Sequence, residues 1–452
     1  MRRTLLTLTL LIFTLLATNV QDSKAQNVDA NNLPKTSAKS NGNKIYYVAS
    51  TVISVHPSNF NVPIVSNEWN DETKEGVITF KGAVTEIGDR AFFWCVAFSS
   101  VTLPDSVTKI GSEAFKNCSG LTSVTIPDSV EVIGDEAFCS CSNLSSITIG
   151  SGVVEIGGKA FYDCDKLTTI TIPDSVTTIG DGAFEGCNNL TGVAISNSVT
   201  SIGGHAFYEC DSLENIIIPD GVTSIGNRAF YDCDNLASVT VGGSVESIGE
   251  GAFSYCDRLT SVTIDQGVLV IGKRAFEHCT NITSIAIPDS VTTIGESAFW
   301  GCTGLAAITI PGSVTEIGSK AFSGCSGLAS LTIDSGLTKI GSQAFYDCSK
   351  LASLTLPDSV AAIGDQAFSW CIALTSVTIP EGVTTISNNA FTGCSRLVDL
   401  YCRATTPPTA GTDIFSDTAP DHKIYVPRGS VEAYKAADGW MEYTNDIVGY
   451  DF

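Results

Sequence analysis

The sequence is poor in charged residues, and basic residues are the scarcer kind. Only 16% of its 452 residues are Asp, Glu, Lys or Arg, whereas an average globular protein has about 25%. The 25 basic residues stand against 48 acidic ones, which gives a net charge of −23. Phosphate backbones and anionic lipid headgroups repel such a chain. We therefore expect no nucleic acid and no anionic membrane among its main partners.

Long apolar runs are absent apart from one at the N-terminus. Residues 1–25 begin with Arg2 and Arg3, continue with an apolar stretch and end in the small residues Ser23 and Ala25. This order is typical of a secretory signal peptide. Its apolar part of about 13 residues is shorter than the roughly 20 that span a bilayer. We expect cleavage after Ala25, a secreted or cell-surface location and no membrane span in the mature bacterial protein; an uncleaved anchor is the alternative.

From residue 77 onward, one pattern of 23 residues organises the chain. An Ala-Phe pair recurs in it, with a Cys three residues after each Phe and an Ile five residues before it. The framework phenylalanines are Phe92, Phe115, Phe138, Phe161, Phe184, Phe207, Phe230, Phe253, Phe276, Phe299, Phe322, Phe345, Phe368 and Phe391. A single coil of this size cannot bury its apolar face alone, so identical units must stack. We predict a repeat solenoid of about fourteen coils over residues 77–402.

Within one unit the pattern predicts a short strand and an apolar centre. Val124 and Ile126 alternate with polar residues, which is typical of a β-strand with both side chains inward, and Pro127 ends it. Stacked coils would pair such strands in parallel. Phe115 is expected to fill the centre of its coil, and Gly111 to form a tight bend.

The two ends lack the repeat register, and we predict that they cap the stack. Residues 26–43 are polar, with several Asn and Ser, as in a flexible leader. Residues 44–76 contain strand-like runs out of register and are predicted to be an N-terminal cap. Residues 403–452 contain a proline pair, a strand-like run and a short helical pattern, and are predicted to be a C-terminal cap.

The run Ile-Gly-x-x-Ala-Phe-x-x-Cys-x-x-Leu resembles the leucine-rich repeat of BspA-like surface proteins, as also found in Treponema pallidum. The resemblance covers residues 77–402. It implies a leucine-rich repeat fold wound as a right-handed superhelix. It also implies an extracellular, non-enzymatic binding protein, because members are associated with adherence to matrix proteins such as fibronectin and fibrinogen. In one departure from ordinary repeats, Ser129, Ser175 and Gly221 stand at the asparagine position, so no asparagine ladder is expected.

The sixteen cysteines are too sparse for a disulfide scaffold, since they make up about 3.5% of the chain against the roughly 8–10% of such proteins. Stacking would place neighbouring framework cysteines about 4.8 Å apart, but with side chains parallel rather than facing. We expect a column of free buried thiols, with disulfides as the alternative. Cys139 lies outside the framework, and we expect it to be exposed and reactive.

No catalytic residue and no cofactor site is predicted. The segment from Gly267 to Arg274 nearly matches a phosphate-binding loop, but Arg274 replaces the required Ser or Thr, and Ile271-Gly272 belongs to the repeat. Four scattered histidines do not form a zinc pattern. An enzyme hidden in residues 44–76 or 403–452 is a remaining alternative, although neither segment clusters reactive side chains.

One residue after the framework Cys, five consecutive coils carry acidic residues or an asparagine. The column is Asp165, Asn188, Asp211, Asp234 and Asp257. Like charges at coil spacing repel one another, and a hard cation bound by carboxylate oxygens would relieve this. Asp165, Asp211, Asp234 and Asp257 are therefore calcium candidates, and a solvated acidic stripe is the alternative.

Aromatic residues recur directly after the framework Phe or one position later, outside the filled core. The partner-binding candidates are Trp94, Tyr162, Tyr208, Tyr231, Trp300, Tyr346 and Trp370. Exposed aromatic rows anchor protein partners or stack on sugars. We therefore expect a binding protein that contacts its partners along an extended face, and the resemblance implies that these partners are host or bacterial surface proteins. A glycan-binding module that uses the Tyr and Trp column is the alternative.

Overall fold

The chain is described by a computed structural model over residues 42–452, so the predicted signal peptide and residues 26–41 of the predicted leader lie outside the described residues. Each coil is built from tight turns around one framework Phe. Successive coils are joined by two lines of short parallel strands, one on each side of the apolar centre. The predicted solenoid of stacked coils with short parallel strands is confirmed.

The first line is a sheet of fifteen strands among the described residues, built from the dipeptide that ends in the framework Ile. Its strands are β4 (Glu86–Ile87), β6 (Lys109–Ile110), β8 (Val132–Ile133), β10 (Glu155–Ile156), β12 (Thr178–Ile179), β14 (Ser201–Ile202), β16 (Ser224–Ile225), β18 (Ser247–Ile248), β20 (Val270–Ile271), β21 (Thr293–Ile294), β23 (Glu316–Ile317), β25 (Lys339–Ile340), β27 (Ala362–Ile363), β29 (Thr385–Ile386) and β31 (Thr409–Ala410). The sequence had predicted only one strand per coil. A two-residue strand leaves no alternation to detect.

The second line contains the predicted strands. They are β5 (Phe98–Thr102), β7 (Ser123–Thr125), β9 (Ser146–Thr148), β11 (Thr169–Thr171), β13 (Gly192–Ala194), β15 (Asn215–Ile218), β17 (Ser238–Val241), β19 (Ser261–Ile264), β22 (Ala307–Ile310), β24 (Ser330–Ile333), β26 (Ser353–Thr355), β28 (Ser376–Ile379) and β30 (Asp399–Cys402). They pair in parallel within five separate sheets, so that Val124 lies beside Val101 and Ile147 in the neighbouring coils. The register repeats every 23 residues and places identical positions side by side.

The framework phenylalanines form one continuous stack through the centre. Each of the fourteen side chains is fully buried. From Phe92 to Phe391 neighbouring rings lie nearly parallel, as between Phe115 and Phe138 with centroids 5.0 Å apart and between Phe207 and Phe230 with centroids 5.2 Å apart. The prediction that Phe115 fills the centre of its coil is confirmed.

The stack is longer than predicted. Strand β31 extends the first sheet beyond residue 402, and the ring of Phe415 lies 5.7 Å from that of Phe391. Phe415 follows Phe391 by 24 residues rather than 23, because one residue is inserted. The predicted count of fourteen coils is therefore too low. The boundary predicted at residues 402 and 403 falls inside the stack.

A tight turn begins at Gly111 as predicted, since the amide of Ala114 donates to its carbonyl at 3.3 Å, but the reason for the glycine is not its φ. Gly111 is not among the residues with positive φ, which occur instead two residues before and two residues after the framework Phe, as at Glu113 and Asn117. A Cβ on Gly111 would lie 2.8 Å from the backbone carbon of Gly88 in the preceding coil. The framework glycine is therefore required for close backbone approach rather than for an unusual φ.

Both ends of the second line carry extra strands. At the N-terminal end, β1 (Lys44–Ala49) pairs antiparallel with β5 and with β3 (Glu75–Phe80), and β2 (Ile64–Asn70) forms the outer edge. At the C-terminal end, β32 (Lys423–Pro427) and β33 (Ile447–Tyr450) continue the parallel pairing after β30. Helix α1 (Val431–Ala436) packs against these strands. Three 3₁₀ turns complete the described elements: Pro57–Asn59, Arg428–Ser430 and Met441–Tyr443.

Buried aromatic side chains fix the C-terminal segment to the last coil. The indole of Trp440 donates a hydrogen bond of 2.8 Å to the carbonyl of Pro408, and the hydroxyl of Tyr434 donates one of 2.8 Å to the carbonyl of Ala404. Within residues 42–452, no helix is long and apolar enough to cross a bilayer.

Candidate binding surface

The framework cysteines act as hydrogen-bond donors between coils. The thiol of Cys118 donates to the carbonyl of Phe92 in the preceding coil at 3.0 Å, and that of Cys210 to the carbonyl of Phe184 at 3.2 Å. All sixteen cysteines in the described residues are free and buried. The prediction of a free thiol column is confirmed, and the disulfide alternative is wrong. This thiol hydrogen bond explains why the position is Cys. A small apolar residue without an S–H group would remove this donor from the buried carbonyl of the preceding coil.

The prediction that Cys139 is exposed and reactive is wrong. Its side chain is only 5% exposed, and burial raises the pKa of its thiol. Its Sγ lies 3.6 Å from the hydroxyl oxygen of Ser140. The position after the framework Phe lies partly beneath the neighbouring coil, so a small side chain there is covered while a large ring protrudes.

Hydrogen bonds from the neighbouring coil reach two carboxylates of the acidic column, those of Asp165 and Asp257. The amide of Asn188 donates to the carboxylate of Asp165 at 3.3 Å, and that of Asn235 to the backbone carbonyl of Asp211 at 2.7 Å. In residues 42–452, no group of three or more His, Cys, Asp or Glu side chains is placed to hold a metal ion. The structure thus does not assemble the calcium candidates Asp165, Asp211, Asp234 and Asp257 into a ligand set.

The carboxylates beside this column are destabilised by their surroundings. Burial raises the pKa of Asp232, and the nearby Asp234 and Glu209 raise it further. A raised carboxyl pKa means that the folded chain binds this proton more tightly than the unfolded chain. Its unfavourable contribution is therefore present above the raised pKa and is lost as the pH falls through it.

We expect Asp232→Asn to increase the free energy of unfolding at about pH 7 by about a few tenths of a kcal/mol, since solvent screens this partly exposed group. The gain should vanish below about pH 3, where the carboxyl group is protonated in both states. Urea unfolding at the two pH values measures the difference. Asp289→Asn, outside the column, is the control; an equal gain at both pH values would contradict the electrostatic explanation.

The structure joins three of the predicted aromatic residues into one row and adds two that the prediction lacked. Tyr208 stacks on Tyr231 with centroids 5.0 Å apart and planes at 4°. Tyr231 contacts Tyr255, Tyr255 stacks on His278, and His278 contacts Trp300 at 5.0 Å. We call these five residues the aromatic row. Its rings are mostly half-buried, because each covers part of the next.

A cation from the same coil lies over one ring of the aromatic row, Tyr231, and over the ring of Tyr162 outside the row. The ammonium of Lys159 lies 4.7 Å from the ring centroid of Tyr162, and the guanidinium of Arg228 lies 5.7 Å from that of Tyr231. In the coil of Phe276, the residue directly after the framework Phe is Glu277 rather than an aromatic residue, and Arg274 forms an ion pair with the carboxylate of Glu277 at 3.7 Å. Tyr346 is half-buried and stands apart from the row. The charges beside the row are thus largely engaged within the protein.

Two predicted aromatic residues stand out from the surface. The side chain of Trp94 is 60% exposed and that of Trp370 is 49% exposed, whereas Trp300 is 36% exposed. Two aliphatic residues that the sequence analysis missed are also exposed, Val96 and Ile372. The sequence contained a signal for them, since this repeat position is polar in the other twelve of the fourteen 23-residue units.

The depressions along the aromatic face are shallow and open. One of about 330 Å³ lies beside Lys159, His205 and Tyr208, and one of about 250 Å³ beside Tyr231, Tyr255 and Trp300. The apolar interior is filled by the phenylalanine stack and its neighbours. The outer surface is therefore the part of these coils that is open to other molecules.

The repeat identifies the family. A family model described as "BspA type Leucine rich repeat region" matches residues 66–191, 177–306 and 301–419, with six copies in all. The chain belongs to this family. No curated protein sequence matches it.

Solved structures of bacterial leucine-rich repeat proteins resemble this BspA-type chain. One from Bacteroides ovatus is 30% identical with a TM-score of 0.64, and the match covers 89% of this chain and 92% of that one. A leucine-rich cell surface protein from Faecalibacterium prausnitzii is 34% identical with a TM-score of 0.43, over 71% of this chain and 83% of that one. The pneumococcal vaccine antigen PcpA is 18% identical with a TM-score of 0.46, over 89% of this chain and 100% of that one.

Proposed function

We propose that this BspA-type protein is exported and acts at the bacterial surface as a non-enzymatic, adhesin-like binding protein. Its partners are surface proteins of a host or of other bacteria, which it contacts along an extended face of the solenoid. The exposure of Trp94 and Trp370 on a surface otherwise rich in short polar side chains carries this proposal. Large exposed aromatic residues are the side chains that most often anchor protein interfaces.

The arrangement of coils supports a multivalent mode of binding. Equivalent positions recur at coil spacing, so a partner can add contacts coil by coil, and the affinity grows with the number of coils engaged. The filled interior supports a scaffold role, because a deep pocket with converging reactive groups is what catalysis requires.

The geometry of the aromatic row favours protein partners over glycans. A sugar stacks its C–H face on the face of an aromatic ring. Tyr208 and Tyr231 already cover each other's faces, so mainly ring edges and hydroxyl groups are offered to a ligand. A glycan array with Trp300→Ala and Trp370→Ala as comparison variants tests the alternative; glycan binding lost in these variants would replace the protein-binding proposal.

Binding to immobilised extracellular proteins tests the proposed function. We expect residues 26–452 to bind at least one member of a panel that includes fibronectin and fibrinogen, as measured by biolayer interferometry. Because the chain carries a net charge of −23, we expect higher salt to slow association several-fold. Serial removal of coils should weaken binding gradually. Complete loss on one point mutation in the polar surface, or no binding to any member, would contradict the proposal.

A further inference from the structure

Trp94 and Trp370 occupy the same position in two different coils, two residues after the framework Phe. Each is followed at the same interval by an exposed aliphatic residue, Val96 at 53% and Ile372 at 44% exposure. In the twelve coils between and beyond them, the position of Val96 and Ile372 is Ser, Thr, Asp or Asn. Thus a tryptophan and an exposed aliphatic residue occur together in two coils, as Trp94 with Val96 and as Trp370 with Ile372. We call the two pairs the apolar knobs.

The backbone shows that a tryptophan is unfavourable at this position. Trp94 has a φ of 59° and Trp370 a φ of 62°, in the left-handed region where bulky side chains are strained. Four other coils have glycine here: Gly186, Gly301, Gly324 and Gly393. Tyr255 and His278 adopt a similar φ at this position, so the repeat imposes the conformation on whichever residue stands there.

The local turn is the same with tryptophan as with glycine. The amide of Ile372 donates to the carbonyl of Trp370 at 2.8 Å, as the amide of Thr303 does to that of Gly301. The tryptophans therefore contribute nothing to the turn that glycine does not supply. Their exposed rings are what distinguishes these two coils.

The surface between the knobs is acidic. From the coil of Phe161 to that of Phe253, the same two repeat positions carry seven acidic residues and no Lys or Arg: Asp163, Asp165, Glu209, Asp211, Asp232, Asp234 and Asp257. Trp94 and Trp370 are twelve coil spacings apart, with eleven coils between theirs, a distance on the order of 60 Å along the stack. An apolar knob thus stands on either side of a carboxylate stretch.

We propose that the two knobs form one bivalent docking surface for an elongated protein that carries two apolar pockets on either side of a basic segment. This inference rests on the proposed function and specifies its partner. The neighbours of Trp94 include Phe93 and Val52, which are themselves exposed; they offer a sugar few hydrogen bonds but suit a protein pocket. A flat lipid surface that touched both knobs would have to cover the carboxylate stretch, which disfavours it.

The knobs can be removed by substituting the residues that other coils have at the same two positions, as in Gly324 with Ser326. Trp94→Gly with Val96→Ser removes the first knob, and Trp370→Gly with Ile372→Ser removes the second. We expect neither change to lower the melting temperature, since glycine relieves the strained φ. Against the partner found in the protein panel, each single-knob variant should bind about a hundredfold more weakly, because bivalent engagement is lost. The variant without both knobs should show no measurable binding.

Spacing gives an independent test. Deletion of residues 300–322 removes one repeat unit between the knobs, shortens their separation by about 5 Å and leaves both knobs intact. We expect the affinity to fall about tenfold, because the two pockets can no longer be reached together without strain. Ile217→Ser removes an exposed apolar side chain of strand β15 and is the control that should leave binding unchanged.

The outcomes separate this inference from the proposed function. Binding to a panel protein that survives loss of both knobs contradicts the bivalent surface and leaves the proposed function standing. Binding that is insensitive to the deletion of residues 300–322 also contradicts it. Knob-dependent binding to phosphatidylcholine vesicles rather than to a protein overturns the choice of partner. Failure to bind any protein of the panel contradicts both proposals.

Discussion

Phe230→Ala should lower the free energy of unfolding by about 3–5 kcal/mol, the range for removing a buried aromatic side chain. Phe230 is fully buried, and its ring lies 5.2 Å from those of Phe207 and Phe253. The substitution therefore opens a cavity between two rings. The surrounding coils cannot close it easily, because their spacing is fixed by the strand pairing on both sides.

The position of the cavity in the stack should shape the unfolding transition. In a repeat protein each coil contacts mainly its neighbours, so a weakened central coil separates two halves that remain stable. We expect the urea transition to broaden or to split into two steps as well as to shift. The measurement is urea unfolding followed by circular dichroism. Phe452→Ala, at an exposed ring, is the control and should cost less than about 1 kcal/mol; an equal loss in both variants would contradict the stacked core.

The native chain should be almost inert towards thiol reagents. All sixteen cysteines are buried, and burial raises the pKa of the Cys302 thiol to about 12. At about pH 8, roughly a quarter of an exposed thiol is ionised, whereas a thiol with a pKa near 12 is ionised to about one part in ten thousand. Both the lack of access and the lack of thiolate slow the reaction.

A titration with Ellman's reagent measures this protection. We expect no fast-reacting thiol in the native chain and sixteen after denaturation in guanidinium chloride. Thr303→Cys introduces a thiol at an exposed site next to Cys302 and should add one fast-reacting group. Fast reaction of several native thiols would show that the column is open. Fewer than sixteen thiols after denaturation would show that disulfides form.

Among the described residues, the framework was predictable because each of its positions is repeated in every coil. The fully buried Phe115 and the inward Val124 both follow from periodicity and apolar character. The additional coil around Phe415 was not predicted, because one inserted residue breaks the 23-residue register. Two-residue strands such as Lys109–Ile110 were not predicted, because two residues are too few to show an alternation of apolar and polar side chains.

The surface was predicted less well, because exposure depends on a residue of the neighbouring coil. Cys139 and Trp300 both stand directly after a framework Phe, yet Cys139 is covered and Trp300 is partly open. Tyr208 and Tyr231 were predicted to be exposed partner-binding candidates, but they lie in adjacent coils and stack on each other.

The sequence by itself determined that this protein is a stack of like coils, since a 23-residue apolar repeat can bury its side chains only against copies of itself. It also determined which side chains lie inside. Only the tertiary structure decided which of the remaining side chains are open to a partner. The exposure of a surface side chain depends on its neighbour in the next coil, 23 residues away in the sequence. Local sequence therefore does not determine that exposure.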